Sequence, residues 1–505
     1  MEKKDLEEGA NANVHDSSDS ITAVSQRDLD ETYELYKNTA DLEVSAAEEK
    51  KVVRKIDYRV VTITFVIYFL QYLDKNAINF ANTYGLSKGT HLEGQDFSWI
   101  GSIFYFGYLA GQFPSAYLIQ RLPVGRFVSV TTIIWGIIVL TTPAVKSFSG
   151  LAANRFFLGI TEAAVNPAFV AIMSIWYTTD EQPLRLEAYY CTNGLATMFG
   201  GLLGYAIGHI TTGLQKWQYV FLIFGAISLA SGVASFIWLP DSPATARFLD
   251  TKERTIATER VSRNRAGVKN VHFKKDQALQ CVQDPKTWIL FVMAVGAQIP
   301  NSAITSFTSL IIASFGFDTL GTQYLQIPGG AFQFLSILIG GWICTKWPRG
   351  SRCPTMITAN SICIVGAALL LKLPQDNKWG RLVGLWLLFF QGLGFSMSLT
   401  MISSNISGTT KKQLTSAILF IGYCVGNIIG PQTFRSSEAP YYTSAYVAML
   451  VGYSVKLVSV IVLYVHMWRE NKARDAAGPI DEKAAVEAGM HDRTELDNKG
   501  FRYTL

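Results

Sequence analysis

The chain has 505 residues, of which 49% are hydrophobic and only 16% charged, and its net charge is +5. Soluble proteins carry about 25% charged residues, and here the charge gathers in two tails and one central loop. The composition therefore excludes an ordinary soluble globule, and the basic residues form no stripe with interleaved aromatics that would bind nucleic acid. The six cysteines make no C-x-x-C pair and lie mostly in apolar runs. They read as packing residues, with no disulfide framework and no metal site.

Residues 1–50 are rich in Asp, Glu, Ser and Ala and lack the short apolar core of a secretory signal. They are expected to form a disordered tail, because so little apolar surface cannot offset the entropy of ordering. The first membrane helix would then act as its own insertion signal. Apolar stretches of about 20 residues follow, the length that crosses a hydrocarbon core of about 30 Å. Helices are expected near 58–81, 97–120, 127–146, 151–175, 187–210 and 217–239, then near 286–312, 323–345, 353–373, 380–403, 413–434 and 441–467. The organisation is a bundle at 51–239, a charged loop at 240–285, a second bundle at 286–470 and a disordered tail at 471–505. The fold class is thus an all-α membrane protein with twelve transmembrane helices in two six-helix bundles.

Lys and Arg near helix ends set orientation. Lys50, Lys51, Arg54, Lys55 and Arg59 precede the first helix, and Arg247, Lys252, Arg254 and Arg260 lie in the central loop. Both regions, and with them both termini, are expected to be cytoplasmic. The two halves also repeat. Arg121-Leu-Pro123-Val-Gly125-Arg126 follows the second helix, and Lys346-Trp-Pro348-Arg-Gly350-Ser-Arg352 follows the eighth. Gly200, Gly204 and Gly208 lie on the fifth helix, and Gly422, Gly426 and Gly430 on the eleventh. Spacing of four places each triple on one face, where small residues admit a neighbouring helix. Matching positions in both halves indicate a duplicated six-helix unit.

Charges inside a bilayer are costly and mark substrate or ion paths. The inventory is Asp74 and Lys75 in the first helix, Arg155 and Glu162 in the fourth, Glu187 and His209 at the ends of the fifth, and Lys456 in the twelfth. Arg155 and Glu162 are nearly two turns apart on one face, and Asp74 falls between them in depth at 1.5 Å per residue. Burial favours the protonated form of a carboxyl group and a neighbouring guanidinium the ionised form. Asp74 and Glu162 are therefore the candidate proton-coupling groups. Arg155 is the candidate ligand for an anion, since a guanidinium matches a carboxylate in a two-pronged geometry; a structural ion pair between helices is the competing reading. The second half offers amides and hydroxyls instead, among them Asn301, Ser302, Thr305, Gln391, Asn405, Asn427 and Gln432. Tyr72, Asn76, Asn301, Gln391 and Asn427 are the candidate substrate-binding residues beside Arg155. Glu187 and His209 are expected at the membrane interface, within reach of water, and Lys456 finds no role. No P-loop, H-E-x-x-H or G-x-S-x-G motif is present, so neither an ATP-driven pump nor an enzyme is indicated.

Several segments together resemble the fungal allantoate permease family, within the anion:cation symporters of the major facilitator superfamily. They are Lys55-Ile-Asp57, Tyr72-Leu-Asp74-Lys75-Asn76, Phe104-Tyr-Phe-Gly-Tyr108, Arg121-Leu-Pro-Val-Gly125, Arg155-Phe-Phe-Leu-Gly-Ile-Thr-Glu162, Leu239-Pro-Asp-Ser-Pro243 and Gly426-Asn-Ile-Ile-Gly-Pro-Gln432. The resemblance covers about residues 50–470. It implies twelve helices, alternating access and uptake of a small organic anion or vitamin-like nutrient with protons, by a monomer in the lipid bilayer and without a cofactor. Allantoate, nicotinate and pantothenate are among the substrates it implies. The plasma membrane is the expected location, with the endoplasmic reticulum or vacuole as alternatives. Helix seven departs from the family's Asn-Gly-Gly, reading Asn301-Ser302-Ala303, and Gly408-Thr409-Thr410-Lys411-Lys412 lacks the family's His. Two other readings are an exporter of a drug or metabolite, and a non-transporting nutrient sensor. The missing Gly-Pro pair in helix five weighs against the exporter, and the disordered tails weigh against the sensor.

Overall fold

The computed structural model describes residues 45–178, 181–262, 274–347, 350–477 and 493–505. Among these residues every secondary-structure element is helical, with no strand. Ten helical spans are long and apolar enough to cross a membrane. In chain order they are α1 (Ala46–Thr83), α3 (Val124–Ala144), α4 (Phe148–Trp176), α6 (Lys216–Trp238), α7 (Pro285–Ser314), α8 (Thr319–Cys344), α9 (Arg352–Lys372), α10 (Lys378–Asn405), α11 (Thr409–Gln432) and α12 (Thr443–Ala476). Two more complete the set of twelve. Helix α2 (Asp96–Arg121) mixes Ser, Gln and Tyr into its apolar run. Helix α5 (Thr192–Gly208) has only 17 residues and follows a short helix, Gln182–Tyr190. The described ends, Ser45 and Leu505, lie at one face of the bundle, here the terminal face.

The glycine triples act as expected. A Cβ on Gly422, Gly426 or Gly430 would fall 2.8, 2.6 or 2.5 Å from the carbonyl oxygens of Phe291, Val295 and Ile299, so α11 rides directly on the α7 backbone. The first triple meets side chains instead: Phe80 at Gly200, Gln323 at Gly204, Leu320 and Tyr84 at Gly208. Helices α2 and α4 are locked even closer, since a Cβ on Gly159 would lie 2.1 Å from the Phe104 oxygen. The basic loop after α2 has a local reason too. Asp241 accepts from the Arg126 amide at 2.9 Å, capping α3, and a Cβ on Gly125 would crowd the same carboxylate at 2.9 Å. The corresponding loop after α8 lies partly outside the described residues, which exclude 348–349.

The polar ends are more structured than their composition suggests. Residues 46–56 are already helical, so α1 begins before position 58. They pair with a central-loop helix, Thr251–Ser262, through Lys252–Glu48 at 2.7 Å, Lys55–Glu253 at 2.6 Å and Arg260–Glu49 at 2.8 Å. Arg260 also meets Glu181 and is only 2% exposed. Asp57, at a widened turn (Asp57–Val61), takes a two-pronged contact from Arg185 at 2.7 and 2.8 Å. A disordered tail at 471–505 does not describe residues 471–476, which continue α12, or residues 493–505, which dock on the terminal face through buried ion pairs. The remaining tail segments, 1–44 and 478–492, and the loop at 263–273 lie outside the described residues.

Candidate functional site

At the face opposite the termini the two halves are sealed by hydrogen bonds. Asn79 of α1 donates to Gln326 at 2.8 Å and accepts from the Ser309 amide at 2.7 Å. On α2, Ser102 donates to the Ile428 oxygen at 2.8 Å and accepts from Gln432 at 2.9 Å. Phe307 stacks on Phe434 beside them at 4.1 Å. Gln432 thus belongs to this seal. Further along the same face of α2, towards the termini, Ala116 is exposed.

Below the seal lies a cavity of about 50 Å³ between the halves. The first half contributes Tyr68, Tyr72, Lys75, Asn166, Tyr190 and Asn193. The second contributes mainly amides, Gln298, Asn301, Gln333 and Gln391, with Thr305 and Tyr423. On α7, Gln298, Asn301 and Thr305 lie in and beside an irregular stretch of helix. Pro300 cannot donate a helical hydrogen bond, and a widened turn over Ala303–Phe307 follows it. Asn301 accepts from Gln391 at 2.7 Å and donates to Asn427 at 2.9 Å. Asn427 donates in turn to Gln298 at 3.1 Å. Tyr72, Asn301 and Gln391 are therefore in the cavity wall, whereas Asn427 stands behind it and orients Asn301 and Gln298. Asn76 is turned away: it is 4% exposed and donates to the Tyr72 oxygen of its own helix. Ser302 is fully buried and donates to the Ile299 oxygen. Asn405 is at the terminal face, bonded to Thr504.

The charged groups separate into three settings. Asp74 is 1% exposed and accepts through Oδ2 from Trp135 at 2.8 Å and Ser228 at 2.5 Å, so α3 and α6 hold it inside the first half. Glu162 is fully buried, and neither of its carboxylate oxygens has a hydrogen-bond partner among the described residues. Gln71 donates to its backbone oxygen at 3.1 Å. Arg155 is 3% exposed, with Nε and Nη2 unbonded and its guanidinium 5.7 Å from the Phe221 ring. Asp74, Arg155 and Glu162 do gather in one region, within electrostatic reach of each other. No ion pair joins them among the described residues. Arg155 does not line the central cavity. It borders a smaller pocket of about 10 Å³ nearer the sealed face, which it shares with Lys75 and Ser306.

Lys75 links the two spaces. It lines both, and its ammonium has no hydrogen bond or ion pair among the described residues. Ring faces approach it, Phe104 at 5.5 Å and Tyr108 at 5.6 Å, and Glu162 is within electrostatic reach. Residue type alone marked Lys75 as unusual; its direction, about 100° around the helix from Asp74, could be given a meaning only once the neighbouring helices were placed. Trp135, Ser228, Asn193 and Gln333 carried no sequence signal, since indoles, hydroxyls and amides are common in membrane helices. Glu187, expected to reach water, instead has its Oε2 buried and lies against Gly341 of α8. His209 is exposed at the end of α5 beside Tyr205, as an interface residue should be. Lys456 is 1% exposed, and its stem reaches across Gly394, where a Cβ would fall 2.3 Å from the ammonium.

Comparison with known proteins agrees with this architecture. Residues 64–431 match the model of the Major Facilitator Superfamily. An uncharacterized transporter of Schizosaccharomyces pombe is 37% identical over 95% of this chain and 90% of its own. The allantoate permease of Saccharomyces cerevisiae is 32% identical over 94% of this chain and 90% of its own. Among solved structures, the proton:xylose symporter XylE superposes with a TM-score of 0.64 at 11% identity, covering 81% of this chain and 94% of its own, a likeness of fold alone. The chain belongs to the major facilitator superfamily of transporters, in the branch that holds the fungal allantoate permease.

Proposed function

We propose that this transporter takes up a small organic anion together with protons. The observation that carries the reading is Lys75: an ammonium with no ion pair among the described residues, lining a cavity walled mainly by amides and phenols. Lys75 is half-buried; a cation taken partly out of water without a partner is disfavoured, and a carboxylate on the substrate would supply one. Neutral amides from α7, α8 and α10 then fix orientation, as polar groups do in small-molecule sites. Arg155, in the adjoining pocket, is within the same positive field and assists Lys75. The allantoate permease among the relatives supports an anionic nutrient as cargo, with nicotinate and pantothenate in the same chemical range.

Asp74 and Glu162 supply the proton pathway in this reading. Asp74 must give up two donors before it moves, whereas Glu162 has none to give up. Glu162 is therefore the group that exchanges its proton, and Asp74 the fixed charge beside it. The terminal face is assigned to the cytoplasm from the basic residues before α1 and in the central loop, and the plasma membrane is the assigned location. The test is uptake of labelled allantoate, nicotinate and pantothenate by a transporter-deficient yeast expressing the chain. Uptake should rise as external pH falls and collapse with an uncoupler, and Lys75→Met should lose it while the protein remains in the membrane. Uptake indifferent to pH and uncoupler would end the proton reading, and wild-type kinetics in Lys75→Met would end the anion reading.

A further inference from the structure

The terminal face holds a second concentration of buried charge, far from the cavity. Lys286, at the start of α7, lies 3.0 Å from Asp284 and 3.1 Å from Glu495. Lys411, at the start of α11, lies 2.7 Å from Asp284 and 2.5 Å from Glu495. All four side chains are at most 1% exposed. Two cations and two anions balance, but Glu495 is the one member that does not belong to the helical framework. It comes from residues 493–505, separated from α12 by residues 478–492.

The rest of that segment is tied down along its length. Thr494 donates to Gln280 at 2.6 Å. The Tyr503 hydroxyl accepts from Lys286 at 2.9 Å, and its backbone exchanges two hydrogen bonds with Asn471 of α12. Thr504 exchanges two with Asn405 at the end of α10. The Leu505 oxygen accepts from the Arg352 amide at the start of α9. The segment thus joins the terminal-face ends of α7, α9, α10, α11 and α12. Apart from Gln280, at the end of the central loop, every helix it contacts here belongs to the second half.

Alternating access in this fold is largely rocking of one half against the other. A half that rocks must move as one body, and its loose ends must be coupled. We propose that residues 493–505 are an intramolecular strap, pinned by Glu495, that binds the second half into one moving body, and that turnover requires the strap to be docked. Removing the pin leaves two buried ammonium groups facing one carboxylate, a strongly unfavourable arrangement that expels the strap. The proposal rests on transport by the family and not on the anion or proton reading.

The experiment uses the full-length chain with Thr494→Cys as reporter, since Thr494 is fully buried while the strap is docked. An impermeant maleimide is applied to permeabilised cells, and uptake is followed with whichever of labelled allantoate, nicotinate or pantothenate the unaltered chain takes up. Adding Glu495→Gln should raise the labelling rate about tenfold or more, as expected for loss of a buried counter-ion. Maximal uptake per molecule at the membrane should fall roughly fivefold with little change in KM, the pattern of a lost conformational step and not of lost binding. If Glu495→Gln misfolds, the exchange Glu495→Lys with Lys411→Glu restores the charge balance and should keep both protection and turnover. Equal labelling with and without Glu495 would overturn the docking. Wild-type turnover with the strap demonstrably labelled would overturn its role.

Discussion

Gly426→Ala tests whether the packing of α11 on α7 sets the geometry of the cavity. The added Cβ would stand 2.6 Å from the Val295 oxygen and 2.7 Å from the Gln298 Cβ. Ordinary contacts begin near 3.4 Å, so the helices must part by about 0.8 Å or distort, because neither obstacle is the end of a flexible side chain. Overpacking of this kind costs about 1–3 kcal/mol. The damage should not stay local. Asn427 is the next residue on α11 and bridges to Asn301 and Gln298 at 2.9 and 3.1 Å. A displacement of 0.8 Å stretches both bonds beyond the 3.2 Å range of a good N–H···O contact. The variant should therefore show a lower melting midpoint in detergent and a raised KM for uptake together. An unchanged midpoint would refute the close approach, and a lowered midpoint with unchanged KM would refute the link from packing to the cavity.

Three further outcomes follow from named groups. Glu162→Gln should abolish proton-driven accumulation yet leave exchange of labelled for unlabelled substrate across the membrane, which a counterflow assay separates. Arg185→Ala removes the two-pronged contact to Asp57; charged hydrogen bonds are worth roughly 1.5–3 kcal/mol, and with Asp57 37% exposed the loss of stability in a melting assay should sit at the low end of that range. Asp284, just outside α7, is opposed by its own burial, but the Lys286 and Lys411 ammonium groups hold its carboxyl below the usual carboxylate value of 3.8. Its contribution is then complete above about pH 4 and is lost as pH falls through the lower folded value, so Asp284→Asn should flatten the acid limb of the melting profile and leave its shape at neutral pH unaltered.

The parts of this molecule legible in its sequence are those where a residue type departs from its surroundings. Twelve apolar spans stand out because crossing a bilayer demands length, and the glycine triples because helices can approach only where side chains vanish. Asp74, Arg155 and Glu162 stand out for the same reason, as charges in an apolar run. What was not legible depends on rotation and on distance along the chain. Asn427 and Asn301 have the same side chain, yet one backs the cavity and the other lines it, and residue type does not decide which. The strap escaped notice because it is a short segment of mixed charge at the end of a polar, Ala-rich tail. Its order draws on Lys286 and Lys411, which lie 209 and 84 positions away from Glu495.

Asp74 and Lys75 are adjacent in sequence but work in different compartments, and this adjacency is what can join the two tasks of a coupled transporter. Successive residues of a helix point about 100° apart. Asp74 therefore faces Trp135 and Ser228 within the first half, and Lys75 faces the cavity between the halves. Neither group can move without the turn of α1 that carries both. A substrate anion that draws Lys75 across the cavity pulls on the same turn that Trp135 and Ser228 hold through Asp74, while one turn earlier Gln71 is bonded to the backbone at Glu162. If substrate binds at the interface and a proton exchanges inside the first half, as proposed, both act on one stretch of helix, Gln71 to Lys75. That stretch is also continuous with Asn79, whose two hydrogen bonds close the far face. In the proposed reading α1 carries the substrate contact, the fixed carboxylate and the gate, and no longer relay is needed: a rotation or shift of α1 would present all three to their partners or withdraw them together.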